Sequence, residues 1–402
     1  MENIDTTTDP RYALFQQLIN SVKNKQPQVP FETTEIDIRQ YTDEAWFDYE
    51  KTHIFSDVPL IIGCGAMLKE AGDHFTLDHA GKPLLIVRGK DGKLRCFLNV
   101  CRHRGVRLSN AEEVAKARTF SCQYHHWTYD LEGKLIFVPS EEGFPELDKS
   151  CRALKELAIE EKYGFIWVNP KVGGSINLDQ FLGNLAVDLD KFGIAESHYF
   201  KQATHICNAN WKLIIEAFQD GYHVTRLHNK TVGKFFLDNM AVQERTEQHI
   251  RSIVARKGFE EAMNQAPATW NFRQQSSFAH FIWPNTITVI HPDYTSQVSL
   301  YPIAVDKTTI IHNCVVEREP QSEKEQAHFE RSFKLIDEGV FASEDFYICE
   351  QAQLGMKSGA NDTLLIGGYE SGIRTFHQIL RDSIGTYGTH TKGSDLVEAK
   401  KT

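Results

Sequence analysis

Apolar positions along the chain change their spacing more than once. In "RYALFQQLINSVKN", residues 11–24, they recur every three to four residues, the period of an amphipathic helix, and Pro27 and Pro30 mark the following stretch as a connection. From about Trp46 the apolar runs become short and β-branched. "PLLIVRG" (83–89) and "LRCFLNV" (94–100) flank Asp91-Gly92, a strong hairpin signal; "WTYDLEGKLIFVP" repeats the plan around Gly133, and "YGFIWVNP" supplies another strand ending at Pro170. Residues 46–160 therefore predict a small antiparallel β module.

Beyond it the periods mix. "NLDQFLGNLAVDLDKF" predicts a helix and "NANWKLIIEAFQDGYHV" opens another, while strands are expected at "SFAHFIWPNTITVI", "SQVSLYPI" and "TTIIHNCVV". Helical spacing returns in "EKEQAHFERSFKLIDEGV", with Ser322 as N-cap, and again in "SEDFYICEQAQLGM" and "ESGIRTFHQILRDSI". Antiparallel strands flanked by long helices predict an α+β fold. The expected division is an N-terminal helix and linker (1–45) packing on the larger domain, the β module (46–160), and that larger domain (161–402).

Composition narrows the class. At 402 residues with 41% hydrophobic and 24% charged positions, the chain has the balance of a globular protein of two domains, and no run approaches the roughly 18 apolar residues of a membrane span. The segment after Met1, "ENIDTTTDPRY", lacks the basic flank and apolar core of a secretory signal, so a cytoplasmic location is expected. The eight cysteines then predict thiols or ligands in preference to disulfides. A net charge of −10 leaves no electrostatic footprint for nucleic acid.

Candidate chemistry concentrates in "CRHRGVRLSNAEEVAKARTFSCQYHHW", residues 101–127. Cys101 and His103 are separated by one residue, Cys122 and His125 by two, and eighteen residues lie between the pairs, each at the turn end of an expected hairpin. Two Cys and two His satisfy a structural zinc, although a one-residue Cys–His spacing is tighter than usual zinc sites use. The insert, with its "AEEVAK", predicts a solvated excursion. A second cluster lies in "NWKLIIEAFQDGYHVTRLHN", residues 210–229. On a helix Asp220 and His223 share one face. His228 would point roughly 140° away from His223, so the helix must widen or break between them, near Val224 and Thr225, for both imidazoles to reach one ion.

Together, C-x-H-R-G, C-x-Y-H-x-W and, about a hundred residues on, N-W-K-x-x-x-E-x-x-x-D-x-Y-H-x-x-x-x-H resemble the Rieske non-haem iron oxygenases, in particular the catalytic alpha subunits of the aromatic ring-hydroxylating dioxygenases, over essentially the whole chain. The resemblance implies a Rieske domain and a catalytic domain of START or Bet v1-like fold. It implies that Cys101 and Cys122 hold one iron of a [2Fe-2S] cluster and His103 and His125 the other, which makes the cluster an electron relay. His126, where the family usually has Gly or another residue, is expected to face away.

By the same resemblance, His223 and His228 ligate a mononuclear Fe(II), with a carboxylate completing the triad. "FASEDFYICEQAQLG" (341–355) resembles the family's third-ligand segment and points to Asp345, with Glu344 the close competitor. Asp220 is implied to bridge a cluster histidine of one subunit and an iron-binding histidine of its neighbour. Ala217 stands where many relatives carry Asn. Implied partners are an NAD(P)H-dependent reductase, a possible ferredoxin, and further copies in a homotrimer, with or without a beta subunit. Expected wall residues are Phe235, Phe236, Met240, Trp270, Phe281, Trp283 and Ile290, with Arg251, Arg256 and Arg273 as candidates to meet a substrate carboxylate. Hydroxylation of an aromatic ring is the first expectation for activity; monooxygenation or oxidative demethylation of a methylated or non-aromatic substrate is the alternative, and a non-catalytic electron carrier the remote one.

Overall fold

The computed structural model describes residues 9–27, 32–78 and 81–384. Its β module holds short antiparallel strands. Five of them order as Glu156–Leu157, Leu94–Leu98, Leu84–Arg88, Asp73–Leu77 and Ala115–Lys116, and Phe165–Val168 pairs with both Leu60–Cys64 and Ile159–Lys162. The hairpin at Asp91-Gly92 forms as the sequence predicts, with Gly92 at φ 77°. The insert is largely exposed, as expected, and within it Ala115–Lys116 adds a two-residue edge strand, pairing Ala115 with His74. A third small sheet, Phe120–Ser121, Thr128–Tyr129 and Leu135–Phe137, carries the second Cys/His loop at its hairpin end.

The larger region is built on seven antiparallel strands: β1 His198–Cys207, β2 Phe236–Thr246, β3 His249–Arg256, β4 Ser276–Ile282, β5 Thr286–Ile290, β6 Tyr294–Ala304 and β7 Lys307–Val316. Their order in the sheet is β1-β7-β6-β5-β4-β3-β2. The helices used below are α1 Pro10–Asn24, α2 Glu44–Ile54, α3 Trp211–Gln219, α4 Val224–Leu227, α5 Glu323–Lys334, α6 Tyr347–Met356 and α7 Ser371–Ile384. None is long and apolar enough to cross a membrane.

Side chains alternate between the two faces of a strand, and the core follows that alternation. Ile253, Ala255, Phe278, Ile282 and Ile290 pack with α1, whose Phe15 meets Phe259, Trp270 and Phe272. On this face Ser299 and Tyr301 also donate to the carbonyl of Ile61 in the β module. The opposite parity, with Ile250, Phe281, Ile287, Val298 and Ile310, packs under α3, α6 and α7. Helix α1 starts at an Asp9 cap with Pro10 in its first turn, and stops at Lys25 in a left-handed conformation.

Two helical expectations are corrected. Helix α3 ends at Gln219, with Asp220 already extended, and α4 is a single turn, so the break falls between Asp220 and His223 and not between the two histidines. Gly221 follows at once, and an extended Asp220 lets the chain turn before the histidines are reached. The second correction concerns the closing helices: α5 and α6 are continuous, joined by a twelve-residue π-helix, Leu335–Phe346. The Ser343 hydroxyl donates to the carbonyl of Glu338, five residues back, in the register that a π-helix uses.

Candidate metal centres

The two cysteine loops share one backbone design. Cys101 donates its N–H to the carbonyl of Val106 and accepts from Gly105; Cys122 donates to Trp127 and accepts from His126. In each loop the residue four after the cysteine has a positive φ, 82° at Gly105 and 57° at His126. His126 therefore occupies the left-handed position of the turn, exposed to solvent. A comparison of the spacing C-x-x-x-G with C-x-x-x-H could have revealed this.

These turns set the two buried sulfurs side by side and the two imidazoles with ring centroids 4.6 Å apart. His103 stacks on Trp127 at 4.7 Å, and Tyr124 lies over His125 at 3.7 Å. The Tyr129 hydroxyl lies 3.5 Å from Cys101 Sγ and accepts the N–H of Arg102. Burial pushes the Cys101 thiol up from its ordinary value, and burial, then the charges of His125, Arg104 and Arg152, hold His103 below its own, in the neutral form a ligand needs. A two-iron cluster fits this donor set. His125 Nδ1 is buried without a hydrogen-bond partner. Among the described residues, moreover, no three of these donors converge as those of a single ion would, within about 4 Å for tetrahedral zinc.

The second cluster does converge. His223 Nε2 lies 3.1 Å from His228 Nε2; Asp345 Oδ1 lies 3.5 Å from the first and 3.2 Å from the second. Among the described residues this is the one set of three or more His, Cys, Asp or Glu donors all within 4.8 Å. The single turn of α4 makes it possible: His223 precedes its first residue and His228 follows its last, so both rings return to one side. Asp345 comes from the π-helix, more than a hundred residues away.

Glu344 stands behind the triad, its carboxylate accepting from His228 Nδ1 at 2.6 Å and from the Thr231 hydroxyl at 2.7 Å. Asp220 Oδ2 lies 3.3 Å from His223 Nδ1. Electrostatically the site is built for a cation. Burial alone would lower His223, yet Asp220 and Asp345 hold it up at about 10. Burial would raise Asp345, yet His223 and His228 draw it below the usual carboxylate range. A divalent ion fits this geometry, replacing the protons that the imidazoles otherwise share with the carboxylate.

The triad opens into a cavity of about 620 Å³ between the sheet and the long helix. Of the seven wall residues expected from sequence, Phe235 and Phe236 line it. Phe281, Trp283 and Ile290 are core, while Trp270 and Met240 pack against the cluster around α1. Missed were Phe218, Phe341, Tyr294 and His291. Strand parity carries the missing signal for the last two, because Val289, His291 and Tyr294 lie on the same sheet face as Ser277 and Ala279. Ala217 is also a wall residue.

The three arginines separate cleanly. Arg251 faces the other side of the sheet and is held by Asp188 and Glu244, and Arg273 donates to the carbonyls of His291 and Phe192. Only Arg256 lines the cavity.

Two family models match the chain: the Rieske [2Fe-2S] domain over residues 62–150, and the catalytic domain of the ring hydroxylating alpha subunit over residues 190–386. The carnitine monooxygenase oxygenase subunit of Escherichia coli (strain K12) is 27% identical over 362 residues, 87% of this chain and 94% of that protein. The biphenyl 2,3-dioxygenase subunit alpha of Rhodococcus jostii (strain RHA1) is 35% identical over 198 residues, 48% of this chain and 42% of its own. In fold, the chain is like the solved structure of a quaternary ammonium Rieske monooxygenase described in terms of carnitine oxidation by gut microbiota and inter-subunit electron transfer. The TM-score is 0.75 over 89% of this chain and 97% of that one, at 22% identity.

Proposed function

This chain belongs to the ring-hydroxylating Rieske oxygenase alpha subunits, and we propose that it monooxygenates a methylated, quaternary-ammonium type of substrate as the oxygenase component of a multicomponent system. The family's cofactors are a Rieske [2Fe-2S] cluster and a mononuclear iron. Cys101, His103, Cys122 and His125 hold the first; His223, His228 and Asp345 hold the second. The observation that carries the oxygenase reading is the convergence of these last three donors on one point in the wall of a largely apolar cavity.

The mononuclear iron supplies dioxygen activation, and the cluster supplies electrons. The chain's residues direct both. Glu344 holds the Nδ1 proton of His228 and so fixes Nε2 as its donor atom. Asp220 pairs with His223 on the other side. From there it bridges to a cluster histidine of a neighbouring copy in a homotrimer, a reading supported by the similar solved structure described in terms of inter-subunit electron transfer. A separate NAD(P)H-dependent reductase, directly or through a ferredoxin, delivers the electrons. The Phe218, Phe341 and Val340 side of the cavity keeps water from the reacting carbon.

Overall, one oxygen atom enters a C–H bond beside nitrogen, and the other leaves as water with two electrons and two protons. The resulting carbinol of the quaternary nitrogen then loses its hydroxyl proton and splits its C–N bond into a carbonyl compound and a neutral tertiary amine, with the C–N electron pair staying on nitrogen.

Coverage by the sequence relatives supports the quaternary-ammonium reading. Similarity to the carnitine enzyme spans 87% of the chain and that to the biphenyl enzyme 48%. The test is oxygen uptake by the iron-loaded protein with a surrogate reductase, offered carnitine, glycine betaine and biphenyl. Coupled uptake with amine or formaldehyde release is expected for a quaternary amine. A diol from biphenyl with no amine turnover would overturn the substrate reading, and two iron atoms per chain in place of about three would overturn the oxygenase.

A further inference from the structure

The cavity contains a cation that no ion pair neutralises. Among the described residues Arg256 has no carboxylate partner, and its one hydrogen bond is a long one, 3.4 Å to the Ser277 hydroxyl. Its guanidinium lies over the rings of Phe235 and Phe236, at 5.8 and 5.4 Å, which supports the plane of the group and leaves its edge free. Burial draws it down from its ordinary value, the mark of a charge held without compensation. Five N–H donors in a planar fork match a carboxylate, and such a pair offsets the cost of a buried charge.

Strand register assembles company for it. Val254 pairs with Ser277, so Arg256 projects from the same face one step along β3. Phe278 pairs with Ile290, and continuing that register sets His291 beside Ser277. His291 Nε2 is buried and has no hydrogen-bond partner, and burial holds this ring neutral, with a pKa near 3, so that it can donate a proton without adding charge. The Ser252 hydroxyl, on the same face, is likewise buried and unpaired. Asp293 is the nearby acid, and its carboxylate is engaged by His328.

Arg256, Ser277 and His291 share one cavity with the metal ligands. Val254 pairs with Ala241, whose side chain packs against Gly221 beside Asp220, and Arg256 lies two residues further along β3, about 7 Å on.

We propose that Arg256, Ser277 and His291 form an anion subsite that takes the carboxylate of the substrate while its oxidised end lies at His223, His228 and Asp345. This rests on the quaternary-ammonium reading and narrows it to zwitterions, with a methylated nitrogen at one end and a carboxylate at the other.

The test compares γ-butyrobetaine with its methyl ester in wild type, Arg256→Gln and Arg256→Lys. Wild type is expected to favour the acid at least tenfold in kcat/KM. Arg256→Gln should remove most of that preference through KM with kcat little changed, and Arg256→Lys should restore part of it. Should Arg256→Gln fail to fold by circular dichroism, Ser277→Ala is read by the same ratio, and a reduced preference is expected. A preference that is absent in wild type, or that survives both Arg256→Gln and Ser277→Ala, overturns the subsite. Equilibrium dialysis with 4-phenylbutyrate separates the two readings. If neither quaternary amine turns over but this carboxylate binds wild type and not Arg256→Gln, the subsite stands and the quaternary-ammonium reading falls. If acid and ester turn over alike, the reverse holds.

Discussion

His126 occupies a backbone conformation that glycine takes without strain, and its side chain contributes nothing visible in return. Left-handed strain costs about 1–2 kcal/mol and the added freedom of an unfolded glycine about 0.5–1, so His126→Gly should stabilise the protein by about 0.5 kcal/mol in urea unfolding, with the cluster's absorption unchanged. Glu344→Gln keeps an acceptor near His228 but removes its charge; iron affinity, measured by competition with a chelator, should fall about tenfold, as for other outer carboxylates. His249 is buried neutral between the carbonyl of Phe181 and the N–H of Trp283, and burial lowers it to about 4. The unfolded chain takes up that proton near pH 6.5 and the folded one does not. Stability should therefore decline as pH falls below about 6.5 and level off near 4, a loss of about 3 kcal/mol from this group. Urea midpoints from pH 7 to 4 should show a shallower decline in His249→Gln.

At the scale of elements, the π-helix is anchored by Asp337, which accepts from His205 at 2.9 Å and from His312 at 2.8 Å, each on a strand of the large sheet. Asp337→Ala leaves a buried imidazole N–H without its acceptor and should destabilise by about 2 kcal/mol; because Asp345 rides on the same segment, iron should also be lost before the cluster signal during mild heating. Legibility in the sequence divides along the same lines. The Asp91-Gly92 hairpin, the Ser322 cap and the cysteine loops were readable because turn chemistry is local. So was the pairing of His223 with His228, although the sequence misplaced the break that permits it. The π register was not readable: nothing in the spacing of "LIDEGVFASEDF" distinguishes it from an α-helix, and it is fixed by partners on the sheet. Between Glu344 and Asp345 the family-like segment pointed to Asp345, and the helix aims Glu344 behind His228 and Asp345 at both imidazoles.

For the whole molecule, the proposed relay between copies has an outcome that relay within one chain cannot produce. Chains carrying Asp220→Asn keep a working cluster, and chains carrying Cys101→Ser keep a working iron site. Each assembled alone should be inactive, while co-expressed mixtures should recover a fraction of wild-type turnover; no recovery would assign electron transfer to a single chain. The large sheet, finally, divides its labour residue by residue. On β3, Arg251, Ile253 and Ala255 serve the frame, in a buried ion pair and the core under α1, while Ser252, Val254 and Arg256 face the cavity. Neighbours one peptide bond apart thus answer to different demands. Along this strand tolerance to mutation should follow a sawtooth, and a new substrate could be acquired by changing every second residue while those between stay fixed.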